Sequence, residues 1–179
     1  MGNVVVNRYF QIMQAEKNLR SPSLINDRNI TADKLKSTDA IQIYVKDSAA
    51  IEYPDIMDSP FLLVSDQFKK AVQMYNKDYD CRPIVLTEKA KKVQNIYWHI
   101  DLPNVDYFLD EDKPTGGNMM SRKSAEFYKV DSAKVKGLSF FMFQWKPTTK
   151  PTFIIRLDLA ESLLRRDIAG FDLKGLEHI

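Results

Sequence analysis

The clearest periodic pattern in the chain follows Ser65, a residue type that commonly precedes the first turn of a helix. Apolar residues then recur at offsets of three, four and seven positions, which places them on one face of an amphipathic helix. Polar residues from Asn76 onward break the pattern, so we expect the helix to end there. The apolar positions are Phe68, Ala71, Val72 and Tyr75.

A second amphipathic helix is predicted near the end of the sequence. Asp158 is followed three residues later by Glu161, a spacing that resembles a capping box. Gly170 is the residue type expected just beyond the last helical turn. The apolar positions between them are Ala160, Leu163, Leu164 and Ile168.

The remaining apolar segments are short, rich in β-branched and aromatic residues, and bounded by turn-forming residues, as is typical of strands. The run FFMFQW at residues 140–145 is apolar enough to suggest a strand buried on both faces. Many short strands with two helices predict an α+β fold, in which helices pack on a mainly antiparallel sheet. The predicted strands are residues 4–13, 40–45, 61–64, 82–87, 93–101, 105–109, 125–130, 138–145, 152–157 and 171–176.

The first part of the chain differs from the rest. Residues 14–39 are polar and show no sustained periodicity, apart from a short helical pattern near residues 32–36. We therefore expect a strand and an irregular arm in residues 1–39, packed on an α+β domain in residues 40–179. Within that domain the strongest turn signal is KPTGGN at residues 113–118.

Composition excludes several classes of protein. The 26 Lys and Arg residues and 24 Asp and Glu residues give a net charge of +2, which argues against a nucleic-acid binder that works by overall basicity. One cysteine and two histidines exclude an intramolecular disulfide and a multi-cysteine zinc site, and we expect no metal and no cofactor. The sequence has a lone cysteine and lacks a signal-peptide pattern, which favours a cytoplasmic protein. It also lacks an apolar run of about 18 residues, so we expect that it does not span a membrane.

One predicted strand carries titratable side chains at alternate positions. Tyr97, His99 and Asp101 share a face of this strand, so they offer an acid–base pair or part of a metal site. Cys81 could act as a nucleophile with His99, but a single cysteine beside a strand is more often a small core residue. A strand with one polar, exposed face explains the same pattern without catalysis, and we expect a protein that is not an enzyme.

Carboxylates are concentrated in residues 101–112. A solvated hairpin rim would have this composition. An acidic surface with aromatic anchors, docking a basic partner, would have it too, because charge speeds encounter and aromatic side chains supply contact area. The residues predicted to bind a partner are Asp101, Asp106, Tyr107, Asp110, Glu111 and Asp112.

Five segments together resemble the bacterial immunity-protein family eleven of polymorphic toxin systems, formerly a domain of unknown function. They are FLLVSDQF at 61–68, RPIVL at 82–86, IYWHIDLP at 96–103, VDYFLD at 105–110 and IIRLDLAESLLRRDIAGFDL at 154–173. The resemblance covers residues 40–176, and the final strand is less acidic than the family pattern. It implies an antitoxin that neutralises a cognate protein toxin by direct binding.

Two alternatives remain open. The chain could be a structural or assembly module of a larger particle that binds through edge strands or through the arm at residues 14–39. It could also be an enzyme that uses the Tyr97, His99 and Asp101 face.

Overall fold

The computed structural model describes residues 8–16, 20–25, 30, 32–35, 40–109, 129–147 and 149–178. It confirms an α+β fold with two helices of the predicted amphipathic kind and sheets in which antiparallel pairing dominates. Among the described residues, no helix is long and apolar enough to cross a membrane. The elements are β1 (Tyr9–Gln14), β2 (Leu24–Ile25), α1 (Ala32–Leu35), β3 (Ile41–Val45), β4 (Ile56–Met57), β5 (Leu63–Val64), α2 (Asp66–Tyr75), β6 (Cys81–Glu88), β7 (Val93–Ile100), β8 (Phe140–Phe143), β9 (Thr152–Arg156), α3 (Leu157–Leu164) and β10 (Phe171–Leu176).

Two compact units divide the chain, and neither is continuous in sequence. The first unit comprises Met1–Ile12, Leu102–Ser162 and Asp172–Ile179. The second comprises Met13–Asp101 and Leu163–Phe171. The boundary predicted after residue 39 lies inside the second unit.

The second unit is built on a six-stranded sheet with the order β2-β3-β6-β7-β5-β4. β3 and β6 run parallel, whereas the other neighbours run antiparallel. Ile43, Leu86 and Tyr97 lie on one face of this sheet, which we call the core face, in an apolar cluster with neighbouring aliphatic residues. α2 packs on β7 at the other face, the helix face, which carries Trp98.

The predicted ends of α2 are confirmed. Ser65 has an extended backbone, and its hydroxyl accepts a hydrogen bond from the Phe68 amide at 3.2 Å, as an N-cap does. Asn76 is the C-cap, and its amide still donates to the Val72 carbonyl at 3.0 Å. Phe68, Ala71 and Val72 are buried, so the face predicted from periodicity is the one that packs.

The end of α3 differs from its prediction. The Ile168 amide donates to the Leu163 carbonyl and the Asp167 amide to the Leu164 carbonyl, both at 3.2 Å, and Asp167 has a φ of 55°. This is the bond pattern of a Schellman motif with Asp167 at the position usually taken by glycine. Gly170, expected there, instead precedes β10 with a φ of 86°.

The start of α3 also differs from the predicted capping box. The helix begins at Leu157, so Asp158 lies within its first turn. Its carboxylate accepts two hydrogen bonds from the Arg156 guanidinium, at 2.9 and 2.8 Å. This Arg156 contact is the main reason that the pKa of Asp158 is lowered.

The first unit contains a four-stranded sheet with the order β10-β1-β9-β8. Its core is strongly aromatic, since Tyr9, Tyr107, Phe108 and Phe141 are all buried in one cluster with Ile154 and other aliphatic residues. β8 is shorter than predicted and ends at Phe143, which leaves Gln144 and Trp145 outside the sheet.

Two other segments depart from the predicted elements. Residues 105–109 do not form a strand; Phe108 makes an isolated bridge with Val130, and Asn104, just before the segment, makes one with Met142. The predicted loop at residues 47–60 contains the buried strand β4. The predicted turn at residues 113–118 and most of the predicted strand at residues 125–130 lie outside the described residues.

Candidate functional site

The structure describes only part of the acidic segment predicted to bind a partner. Asp101 and Asp106 are exposed, as predicted. Asp110, Glu111 and Asp112 lie outside the described residues. The role of these carboxylates in binding stays a prediction.

Tyr107 was expected on the surface of that segment, and this expectation is wrong. Its side chain is 0% exposed and packs against Phe108, with ring centroids 4.3 Å apart, and edge-on against Phe143 at 5.8 Å. Because Phe108 is also buried, the segment does not alternate between an inner and an outer face as a surface strand would. Tyr107 therefore contributes to the core of the first unit.

The face of β7 that carries Tyr97 and His99 is packed. The Tyr97 hydroxyl donates to the Pro54 carbonyl at 2.6 Å. The His99 Nδ1 lies 2.9 Å from the Leu62 carbonyl, and since a carbonyl can only accept, this nitrogen carries the proton. Burial raises the pKa of Tyr97 and lowers the pKa of His99, so burial favours the neutral form of both groups.

Cys81 and His99 do not form a nucleophile–base pair. Cys81 lies opposite Ile100 in the β6–β7 register, whereas Arg82 lies opposite His99. Adjacent residues of a strand project from opposite faces, so the thiol and the imidazole lie on different sides of the sheet. Burial raises the pKa of the Cys81 thiol, which keeps it in the less nucleophilic protonated form.

Among the described residues of the first unit, a turn that follows β8 presents the most exposed aromatic side chain. Trp145 is 44% exposed, and Lys146 beside it is exposed as well. We call residues 144–147 and 149–150 the tryptophan turn. An exposed tryptophan flanked by lysine is a typical anchor for a partner protein, because its large rigid ring gives contact area at a small cost in conformational entropy.

Side-chain and backbone hydrogen bonds hold the tryptophan turn in one conformation. The Thr149 amide donates to the Lys146 carbonyl at 2.9 Å, and the Thr149 hydroxyl donates to the same carbonyl at 2.8 Å. The Gln144 Nε2 donates across the turn to the Thr149 carbonyl at 2.7 Å. These bonds are present in the chain alone, so the turn should lose little conformational entropy when a partner binds.

Asn104 connects the tryptophan turn to the acidic segment. Its Oδ1 accepts from the Gln144 amide at 2.9 Å and its Nδ2 donates to the Gln144 carbonyl at 3.2 Å. The Val105 amide donates to the Met142 carbonyl at 2.9 Å just before the turn. The structure thus brings the segment that carries Asp106 beside Trp145, although nearly 40 positions separate them in sequence.

The indole of Trp145 rests on the aromatic core. Its ring centroid lies 6.4 Å from that of Phe143, which in turn lies 4.7 Å from that of Phe108. The exposed ring is therefore the outer end of a row that leads through the partly buried Phe143 to the buried Phe108. Such support fixes the orientation of the indole and leaves the rest of it open to solvent.

The sequence pattern missed this site because residues 140–145 were interpreted as one buried strand. The available signal was the change of character at Gln144, followed by Lys146 and Pro147. A polar residue and a nearby proline indicate that a strand is ending. An aromatic residue at that position is then a candidate for exposure.

Among the described residues, no group of three His, Cys, Asp or Glu side chains is placed to hold a metal ion. Comparison of the chain with models of protein families and with curated proteins gives no match.

Proposed function

We propose that this chain is a non-catalytic cytoplasmic binding protein that contacts another protein through the tryptophan turn. Following the resemblance to immunity-protein family eleven, the partner we propose is a cognate protein toxin that is neutralised by direct contact. In this proposal Trp145 is the central anchor, and the exposed carboxylate of Asp106 contributes charge at the edge of the same surface.

The observation that carries the proposal is the half-exposed tryptophan beside a hydrogen-bonded turn. Tryptophan is among the residues most often found at the energetic centre of protein interfaces. Hydrogen bonds from Gln144 and Thr149 order the turn that carries Trp145, and the Phe143 ring contacts the indole. A surface that is already ordered loses less entropy when a partner binds.

Co-expression with toxins encoded next to this gene tests the proposal. We expect the wild-type chain to restore growth, and Trp145→Ala to weaken binding of the purified toxin by about 30-fold, or ~2 kcal/mol, as for an anchor residue. Leu164→Ala is the matched control, since Leu164 is also a large apolar side chain with more than half of its surface exposed. This control should bind within about twofold of wild type.

Three outcomes would contradict the proposal. Every adjacent toxin could kill equally with and without the chain, or Trp145→Ala could neutralise as well as wild type. Light scattering could also show a stable homo-oligomer that Trp145→Ala dissociates, which would favour an assembly module.

A further inference from the structure

The second unit carries another exposed surface, at the turn between β6 and β7. The two strands pair antiparallel from Cys81 opposite Ile100 to Glu88 opposite Val93, so residues 89–92 form a protruding tip. In register, Val85 lies opposite Ile96, and Tyr44 of β3 lies beside Thr87. We call the surface formed by Tyr44, Val85, Lys89, Lys92 and Ile96 the hairpin surface.

The centre of the hairpin surface is aliphatic. Ile96 is 60% exposed, more than most large apolar residues of the described chain, and it projects from the helix face beside the partly exposed Val85. An isoleucine this exposed leaves most of its apolar surface in water, which is unfavourable compared with burying it. A partner that covers Ile96 would remove part of that surface from water.

The rim of the hairpin surface is basic. Residues 44–47 and 87–94, the strand ends and turn that meet at this end of the sheet, contain four lysines and two carboxylates. The lysines are Lys46, Lys89, Lys91 and Lys92, and the carboxylates are Asp47 and Glu88. This cationic excess favours an acidic partner, because complementary charge speeds encounter and selects the partner.

Two of these lysines are held in place. The Lys89 ammonium lies 4.2 Å from the centroid of the Tyr44 ring, a cation–π contact that positions it over the helix face. The Lys91 ammonium lies 2.9 Å from Glu88 Oε2, and Glu88 Oε1 accepts a hydrogen bond from the Tyr53 hydroxyl at 2.7 Å. Glu88 is only 3% exposed, so it anchors the base of the turn.

We propose that the hairpin surface docks an acidic protein segment that carries an apolar side chain at its centre. The apolar side chain would cover Ile96 and Val85, and flanking carboxylates would meet Lys89 and Lys92. A single-stranded nucleic acid would instead need aromatic platforms on which bases stack. The one aromatic ring of this surface, Tyr44, is already occupied by Lys89.

Fluorescence anisotropy with the full chain tests this assignment. The probe is a labelled peptide of glutamates around a central Leu-Phe pair, compared with a peptide in which Ser-Gly replaces that pair and with oligothymidylate. We expect the Leu-Phe peptide to bind most tightly. Ile96→Ser and the double variant Lys89→Glu, Lys92→Glu should each weaken it about 10-fold.

Matched controls show whether the peptide binds at the hairpin surface, at the tryptophan turn or through nonspecific charge. Lys136→Glu and Leu164→Ser change exposed residues elsewhere and should bind the peptide within about twofold of wild type. Trp145→Ala should also retain peptide binding, so failure here is distinguishable from failure of the proposed toxin contact.

The assignment is overturned if the Leu-Phe peptide does not bind, or if the hairpin variants bind it as wild type does. Tighter binding of oligothymidylate, lost in the Lys89→Glu, Lys92→Glu variant but unaffected by Ile96→Ser, would make the surface a nucleic-acid site instead. A dimer seen by light scattering that Ile96→Ser dissociates would assign the surface to a second copy of the chain.

Discussion

Residues 104–108 and the tryptophan turn lie side by side in the first unit, yet they place their aromatic rings in opposite environments. Tyr107 is fully buried, whereas Trp145 is about half exposed. Both rings contact Phe143, one from within the core and one from its outer end. The comparison shows that the position of each ring relative to β8 decides whether the ring is buried. The carboxylates next to Tyr107 in the sequence do not make Tyr107 a surface residue.

The largest effect that separates the two rings is expected in stability. Tyr107→Ala should lower the free energy of unfolding by about 3–5 kcal/mol, since it removes a large, fully buried side chain and leaves a cavity. Trp145→Ala should lower it by less than about 1 kcal/mol, because much of the indole is already in water. Urea denaturation followed by circular dichroism measures both values. Similar losses from the two substitutions would contradict the distinction.

Local patterns predicted much of the fold. The start and burial of α2 follow from Ser65 and the spacing of apolar residues, both of which act within a few positions. By contrast, β4 is two residues long, and its place depends on pairing with β5. A strand of two residues shows no periodicity in the sequence. For that reason the local pattern of residues 47–60 predicted a loop and not a strand.

The candidate site was less predictable, because it depends on contacts between distant residues. The hydrogen bonds between Asn104 and Gln144 join segments 40 positions apart, and neither residue type predicts this contact. The predicted surface role of Tyr107 failed for the same reason, since Phe141 and Phe143 cover it from another strand. The strands β6 and β7 were predicted to within one residue at each end, but the exposure of Ile96 depends on tertiary packing, which the local pattern does not contain.

Asn104→Ala tests whether residues 104–108 hold the tryptophan turn in place. We expect a smaller loss of stability than for Tyr107→Ala. Both side-chain bonds to Gln144 would be lost, and we expect the free energy of unfolding to fall by about 1 kcal/mol. The turn should then become mobile and toxin binding should weaken about fivefold, although Trp145 is unchanged. Hydrogen exchange at the Gln144 and Thr149 amides reports on this loosening. Unchanged exchange together with weakened binding would show that Asn104 contacts the partner directly.

His99 extends the comparison to the second unit, where a residue predicted on an exposed face is packed. Burial is the main reason that its pKa is lowered from 6.5, so the folded state binds fewer protons than the unfolded state just below that pH. Its stabilising contribution is therefore present above about pH 6.5 and is lost as the pH falls through the lowered value. We expect His99→Gln to flatten the fall in unfolding free energy between about pH 7 and pH 5.

Carboxylates should interfere little with that measurement. Hydrogen bonds lower the pKa values of Asp66 and Glu88, mainly from Lys70 and Tyr53 respectively, so these groups titrate below the histidine range. His178→Gln is the matched replacement of the other histidine. Equal flattening by the two variants would show that the pH dependence does not come from His99.

The smallest predicted effect separates charge from packed contact on the surface that we propose for toxin binding. Asp106 is exposed, so Asp106→Asn should change the free energy of unfolding by no more than about 0.5 kcal/mol. Against a basic toxin surface it should slow association about two- to fivefold at low salt, and the difference should vanish at high salt, where charges are screened. Trp145→Ala should instead speed dissociation at every salt concentration, because it removes packed contact area. Stopped-flow kinetics resolves the two rates; if Asp106→Asn speeds dissociation as Trp145→Ala does, Asp106 belongs to the packed centre of the interface and not to its charged edge.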